Sequence, residues 1–395
     1  MAVTALTIEF KKISTRGKIV LGILTVLAAL GLITGVYRLF AGLGATTNLS
    51  DSYPWGLWLG FDFTLIAFGG AAFTMAMVVH VFNLEKYESV LRPAILTGFI
   101  SYVSVLVILL IDLGRPDRFW GFIPWANIHS PLFEICWCIL LYTTVLTLEI
   151  APLVLGRLNQ PKIVRVLHAA VIPVTIAGVV LSTLHQSTLG TIYLALPERT
   201  HLLWWTWLLP ILYYLSAIGM GLSATILVVL IGSKAVGHKP KVDVLAGLGK
   251  ISVWVWVLYL VLRIGDLLFT GDLGAMFTFD SKSTLFWIEI LLMAVAPIVL
   301  YSTSQVQKSK SGLFWTSLFV TLGLGFNRFN AMFSGMPPTN GDATYFPTFV
   351  EFAVQLGVLA AAALVWYLAA RLLPIFETEA ESEEYAAETA PAAAS

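Results

Sequence analysis

The chain has 395 residues, 58% of them hydrophobic and only 12% charged, with a mean hydropathy of +0.86. Soluble domains carry about 25% charged residues, so a conventional soluble enzyme is excluded and a chain made mostly of membrane spans is implied. Lys+Arg and Asp+Glu both total 23, which leaves no net charge and no basic surface for nucleic acid.

Apolar segments follow one another at 18–41, 55–82, 91–112, 131–155, 166–188, 202–231, 250–269, 284–304, 312–333 and 347–373. Each run is continuous rather than alternating, so the class is all-α with ten transmembrane helices, not a β-barrel. The first segment is too long for a signal-peptide core and runs straight into a second span, which makes it a membrane helix. Residues 1–17 form a cytoplasmic N-terminus, 18–374 the membrane domain, and 375–395 an acidic, Ala-rich tail that reads as disordered. Sixteen basic residues fall on one side of this ladder and four on the other, with Arg38, Arg263 and Arg328 inside spans. The positive-inside rule therefore puts both termini in the cytoplasm. The opposite loops are rich in aromatics, Pro and Gly: Tyr53-Pro54-Trp55-Gly56, Phe119-Trp120-Gly121 and Gly335-Met336-Pro337-Pro338. An interfacial aromatic belt with turn chemistry accounts for them. Cys136 and Cys138 lie within an apolar run and supply neither a disulfide framework nor a zinc or iron–sulfur site.

Ionisable residues within spans are costly and point to function. The outer third of the bilayer collects ten: Arg38, Asp62, Asp112, Glu134, His185, Arg263, Asp266, Glu289, Arg328 and Glu351. Snorkelling at helix ends accounts for Arg38, Asp112 and Glu351, but poorly for the deeper Asp62, Arg263, Asp266 and Glu289. Arg263 and Asp266, at i and i+3, can pair. The inner half holds His80, Glu149 and His168, types that can pass protons. His80 and His168 form the one possible haem-ligand pair, and no second pair is stacked above it to carry electrons across.

Leu-Ile-Asp-Leu-Gly at 110–114 precedes Glu134, as Ile-Gly-Asp-Leu-Leu at 264–268 precedes Glu289, at nearly equal spacing. Four spans separate the copies, which implies a parallel repeat of halves 55–188 and 202–333. Two four-helix bundles, spans 2–5 and 6–9, flanked by spans 1 and 10, are the natural architecture.

Gly42-Leu43-Gly44 with Tyr53-Pro54-Trp55-Gly56-Leu57-Trp58-Leu59-Gly60-Phe61-Asp62 resembles the opening of the HybB-type membrane subunits of nickel–iron hydrogenases, in the NrfD superfamily. His185-Gln186-Ser187, Leu262-Arg263-Ile264-Gly265-Asp266, Phe286-Trp287-Ile288-Glu289 and Tyr345-Phe346-Pro347-Thr348 match in order, across nearly all of residues 37–374. The resemblance implies a haem-free subunit of the bacterial or archaeal cytoplasmic membrane. It implies electron exchange between a quinone pool, menaquinone or ubiquinone, and an extracytoplasmic ferredoxin-like subunit with four-iron clusters. The catalytic partners of such subunits are hydrogenases, molybdopterin oxidoreductases or sulfite-reduction modules.

The expectation is a quinone-reactive anchor. His185 and Asp62 exchange protons with the quinone, Trp58 packs on its ring and Gln186 bonds a carbonyl. Arg263 orients Asp266, Glu134 and Glu289 relay protons, and Glu149, His80, His168 and Asp112 form a proton path. The alternative is a secondary transporter or channel, for which the repeat and the intramembrane charges would also serve. Transporter sites lie near the midplane, and this cluster lies outside it.

Overall fold

The computed structural model describes residues 13–197, 199–336 and 345–376. Lys11, Lys12, Pro337, Pro338 and the acidic tail from Glu377 lie outside the described residues. Among those described, every regular element is helical. The long helices are α1 (Thr15–Ala41), α2 (Leu57–Val81), α3 (Glu85–Asp112), α4 (Pro131–Arg157), α5 (Val171–Leu194), α6 (Leu209–Val236), α7 (Val242–Thr270), α8 (Ser281–Ser302), α9 (Lys310–Phe329) and α10 (Phe349–Leu372). All but α9 are long and apolar enough to cross a membrane on their own composition. The less apolar α9 continues through a π turn, Asn330–Ser334, and packs inside the bundle.

Helices α2–α5 pack in a closed ring, each against the next and α5 against α2. Helices α6–α9 form a second ring in the same order. The rings meet along α2, α5, α6 and α9, while α1 and α10 pair with each other and lie against α3. Lipid tails offer no hydrophobic drive between helices, so association needs close backbone contact at small residues. A Cβ on Gly221 of α6 would lie 2.6 Å from the Gly70 carbonyl oxygen of α2, and one on Gly31 of α1 would lie 2.5 Å from Gly357 Cα of α10.

Among the span boundaries that differ from the hydropathy reading, proline explains two. The fifth span begins at Val171, not 166, because the Pro173 ring would clash with the carbonyl four residues back. Residues Pro161–Ala169 form a separate short helix, so His168 is exposed and outside α5. The sixth span begins at Leu209, held there by Pro210. Residues 202–208, expected to be helical, instead form a turn-rich segment that tucks Leu203 and Trp204 into the bundle. In α8 a π turn, Leu291–Val295, precedes Pro297, where the ladder lacks an N–H donor.

The molecule has two dissimilar faces. The α1–α2 connection and exposed Trp120, Trp125 and Trp207 lie on one, the aromatic face. The start of α1 and the ends of α6 and α10 lie on the other, the basic face.

Candidate functional site

In the first ring, Asp62 sits five residues inside α2, about 8 Å from its start at 1.5 Å per residue. Its side chain is fully buried and neither carboxylate oxygen has a hydrogen-bond partner. His185 on α5 is fully buried as well, and both ring nitrogens are unpartnered. Because α5 runs on to Leu194, His185 lies about 13 Å from that end, nearer the midplane than the outer third where the sequence put it. Gln186 joins the two helices: its Nε2 donates to the Ile66 carbonyl at 2.9 Å, one turn along α2 from Asp62, while its Oε1 has no partner.

Tyrosines continue this group inward. The Tyr102 ring lies 5.7 Å from His185 and 4.7 Å from Tyr142, centroid to centroid. The hydroxyls of Tyr102, Tyr142 and Ser182 are buried without a hydrogen-bond partner, and Ser182 lies beside both tyrosines. Glu149 sits about two turns beyond Tyr142 on α4, next to Thr175 of α5. From His185 to Glu149 the first ring thus holds a succession of hydroxyl and carboxyl groups at increasing depth. Hydropathy reads tyrosine and serine within a span as neutral filler, so this set had no sequence signal beyond Glu149 and His185.

The other proposed proton-path residues do not join it. His80 is exposed in the π turn that ends α2, and His168 is exposed on the short helix before α5. Asp112 lies at the aromatic-face end of α3, within electrostatic reach of Arg38, Glu351 and Asp62. Arg38 donates to the Leu113 carbonyl at 2.7 Å. Glu351 accepts from Tyr345 and from the Thr348 amide at 2.8 Å, closing a capping box on α10. Trp58, expected to face a quinone ring, packs against Ile108, Ile111 and Val354, and its indole donates to the Glu351 carbonyl at 3.0 Å. Glu134, half-buried in the first turn of α4, accepts from Thr188 at 2.7 Å.

The second ring is differently made: the two carboxylates set within it, Asp266 and Glu289, are both bonded. Glu289, fully buried, accepts from Trp204 Nε1 at 3.1 and 3.2 Å, from Asn327 at 2.9 Å and from Asn330 at 2.7 Å. Arg263 pairs with Asp266 at 3.1 Å, donates to the Leu203 carbonyl and lies 5.6 Å from the Phe286 ring centroid. Asp266 also accepts from Thr206 at 2.7 Å. Arg328 donates to Asn327 and Ser216 and covers the Tyr213 ring at 3.6 Å. A cavity of about 20 Å³ remains among Trp204, Tyr259, Arg263, Glu289 and Asn327, room for one water. Only the Arg263–Asp266 pair was legible, from its spacing. Trp204, Thr206, Asn327 and Asn330 were missed because neutral side chains far apart in sequence carry no charge signal. On the aromatic face, His201 anchors the 202–208 segment, donating its amide to the Gly335 carbonyl at 2.6 Å. Burial first, and then nearby Lys282, holds its imidazole below its ordinary pKa.

Among the described residues, no group of three or more His, Cys, Asp or Glu side chains is placed to hold a metal. The profile of the family described as "Polysulphide reductase, NrfD" matches residues 45–337. The chain is 32% identical over 381 residues to a protein of Nitratidesulfovibrio vulgaris, covering 92% of this chain and 95% of that one. It is 32% identical over 350 residues to the "Probable Ni/Fe-hydrogenase 2 b-type cytochrome subunit" of Escherichia coli, covering 86% and 88%. It is 31% identical over 375 residues to the "Menaquinone reductase, integral membrane subunit" of N. vulgaris, covering 87% and 88%.

Proposed function

The chain belongs to the NrfD family, and from that premise we propose that it is the quinone-reactive membrane anchor of a multi-subunit respiratory oxidoreductase. One observation carries the reading: the first ring buries Asp62 and His185 without partners, whereas the two carboxylates set within the second ring, Asp266 and Glu289, are hydrogen-bonded. Buried polar groups in native proteins are ordinarily paired, and an exception calls for a functional account. A relative named for menaquinone reduction supports quinone as the substrate.

A bound quinone supplies the redox chemistry, taking up two electrons and two protons at its two carbonyl oxygens. The orphaned groups suit that need. His185 and the Tyr102 hydroxyl can donate to a carbonyl oxygen, Gln186 Oε1 can accept from a hydroxyl, and Asp62 can exchange a proton. Tyr102, Ser182, Tyr142 and Glu149 would move protons between His185 and the basic face, which makes turnover able to shift charge across the membrane. Trp58 positions α2 against α10 rather than contacting the substrate. Glu134, Arg263, Asp266 and Glu289 act by holding helices and the 202–208 segment in place.

Basic residues favour the face where α1 begins, so that face is cytoplasmic and the aromatic face extracytoplasmic. The chain supplies no electron carrier of its own in this reading. Electrons arrive from, or leave to, an iron–sulfur subunit docked on the aromatic face, itself bound to a catalytic oxidoreductase subunit. The E. coli relative is named a b-type cytochrome. A haem-free chain is the better reading here, because His80 and His168 are exposed outside the bundle core and His185 faces Tyr102.

The test is His185→Ala and Asp62→Asn in the assembled complex. Quinone-linked electron transfer should be lost, while reduction of soluble dyes by the catalytic subunit stays intact. Full quinone activity and affinity in both variants would move the site elsewhere.

A further inference from the structure

A second feature lies apart from these rings. A groove of about 940 Å³ opens at the basic face between the α1/α10 pair and helices α2, α3 and α6. Its walls are apolar over most of their height, with Leu24, Leu65, Phe68, Ile100, Val228 and Leu359 among them. Two of the hydroxyls in its wall are already engaged. Thr97 donates to the Pro93 carbonyl at 2.7 Å and receives the Trp366 indole at 3.0 Å, and Ser104 donates to the Ile100 carbonyl at 2.8 Å.

Charge appears only at the mouth. Arg16 stands in the first turn of α1, Lys234 in the last turn of α6 and Arg371 in the last turn of α10, where its guanidinium lies 5.1 Å from the Tyr367 ring centroid. Among the described residues, no acidic side chain lines the groove. Leu359 lies twelve residues from Arg371, so the groove is about 18 Å deep at 1.5 Å per residue. The hydrocarbon core is about 30 Å thick, and the groove therefore reaches about one leaflet into it.

An apolar body one leaflet long, with no hydrogen-bonding groups of its own and an anionic head, matches this shape and charge. We propose that the groove binds one anionic phospholipid of the leaflet at the basic face, with its phosphate held by Arg16 and Lys234 and its acyl chains along α2, α3 and α10. A quinone head fits the groove less well, because Thr97 and Ser104 are already bonded and the mouth is cationic.

The experiment uses the full chain, purified and delipidated in an uncharged detergent, with phosphatidylglycerol or phosphatidylcholine added and bound lipid read by native mass spectrometry. Wild type should retain one phosphatidylglycerol in preference to phosphatidylcholine. Each basic residue near anionic headgroups contributes about fivefold to binding. Arg16→Gln/Lys234→Gln should therefore weaken phosphatidylglycerol binding roughly thirtyfold and erase the preference. Ala363→Phe fills the groove from an exposed wall position and should displace both lipids without lowering thermal stability. Unchanged phosphatidylglycerol retention in the double variant, or equal binding of the two lipids by wild type, would overturn the proposal. So would a quinone adduct that Ala363→Phe removes, or binding that appears only once the acidic tail after Phe376 is removed, since the tail would then be the occupant.

Discussion

Asp62 and Glu289 are both fully buried carboxylates, yet the structure predicts opposite consequences of removing them. Asp62→Asn breaks no hydrogen bond, because neither oxygen accepts one. Its stability should change by no more than about 0.5 kcal/mol. Glu289→Leu strands three buried donors: Trp204 Nε1, Asn327 Nδ2 and Asn330 Nδ2. Each unsatisfied buried donor costs about 1–3 kcal/mol. The loss is then about 3–9 kcal/mol before relaxation, enough to unfold a marginal protein. Glu289→Gln keeps one acceptor oxygen and turns an amide towards a donor, so about 1–3 kcal/mol is expected. Unfolding in mixed micelles at neutral pH, followed by tryptophan fluorescence, reads all three variants on one scale. The order should be Asp62→Asn, then Glu289→Gln, then Glu289→Leu. Electron transfer to quinone should be lost in Asp62→Asn despite its stability. If Glu289→Leu is as stable as Asp62→Asn, the division between bonded and orphaned carboxylates does not describe how this protein works.

Arg263→Leu leaves Asp266 and the Leu203 carbonyl without their cation, and breaking a buried pair costs about 3–5 kcal/mol. Arg263→Leu/Asp266→Leu should recover most of that in the same unfolding assay, and an additive loss would argue against a pair. Glu149→Gln should slow proton uptake from the basic face while sparing quinone binding, measured with a pH dye in liposomes. Unchanged uptake there would remove Glu149 from the path. His201 has a folded pKa below its ordinary 6.5, so the unfolded chain binds more protons and stability falls as pH drops below about 6.5. Hydrogen exchange across residues 202–206 should therefore quicken between pH 7 and pH 5, corrected for intrinsic rate, and His201→Gln should remove the effect.

The sequence carried the fold further than the site. Long apolar runs located ten helices, even the less apolar α9, because composition over twenty residues outweighs any single position. It failed where continuity mattered. Pro173 and Pro210 stop helices that hydropathy alone would extend, and that error carried His168 into a span and left residues 202–208 as helix. For the site, the type and depth of Asp62 and Glu289 were legible, and their partners were not. Arg263 and Asp266 share one helix face, so spacing sufficed. Glu289 draws its donors from residues 204, 327 and 330, a match made only by folding. Tyr102 and Tyr142 count as apolar in any hydropathy window, which hid the groups nearest His185.

The glycine crossing of α1 and α10 also has a consequence for how the protein is made. Gly31 and Gly357 touch, but roughly 330 residues separate the end of α1 from the end of α10. At about 5–20 residues per second of synthesis, α1 waits roughly 15–65 s for its partner, a long-range closure that comes last. Over that interval its notch, and the charged end of α1 at Arg38, lack the cover that α10 gives them in the finished fold. Glu351 reaches Asp112, and Tyr345 reaches Leu57, only when the final span arrives. A chain stalled ahead of Phe349 therefore displays a bare glycine seam and an uncompleted ionic cluster together, a composite mark by which a quality-control protease can tell an unfinished copy from a finished one.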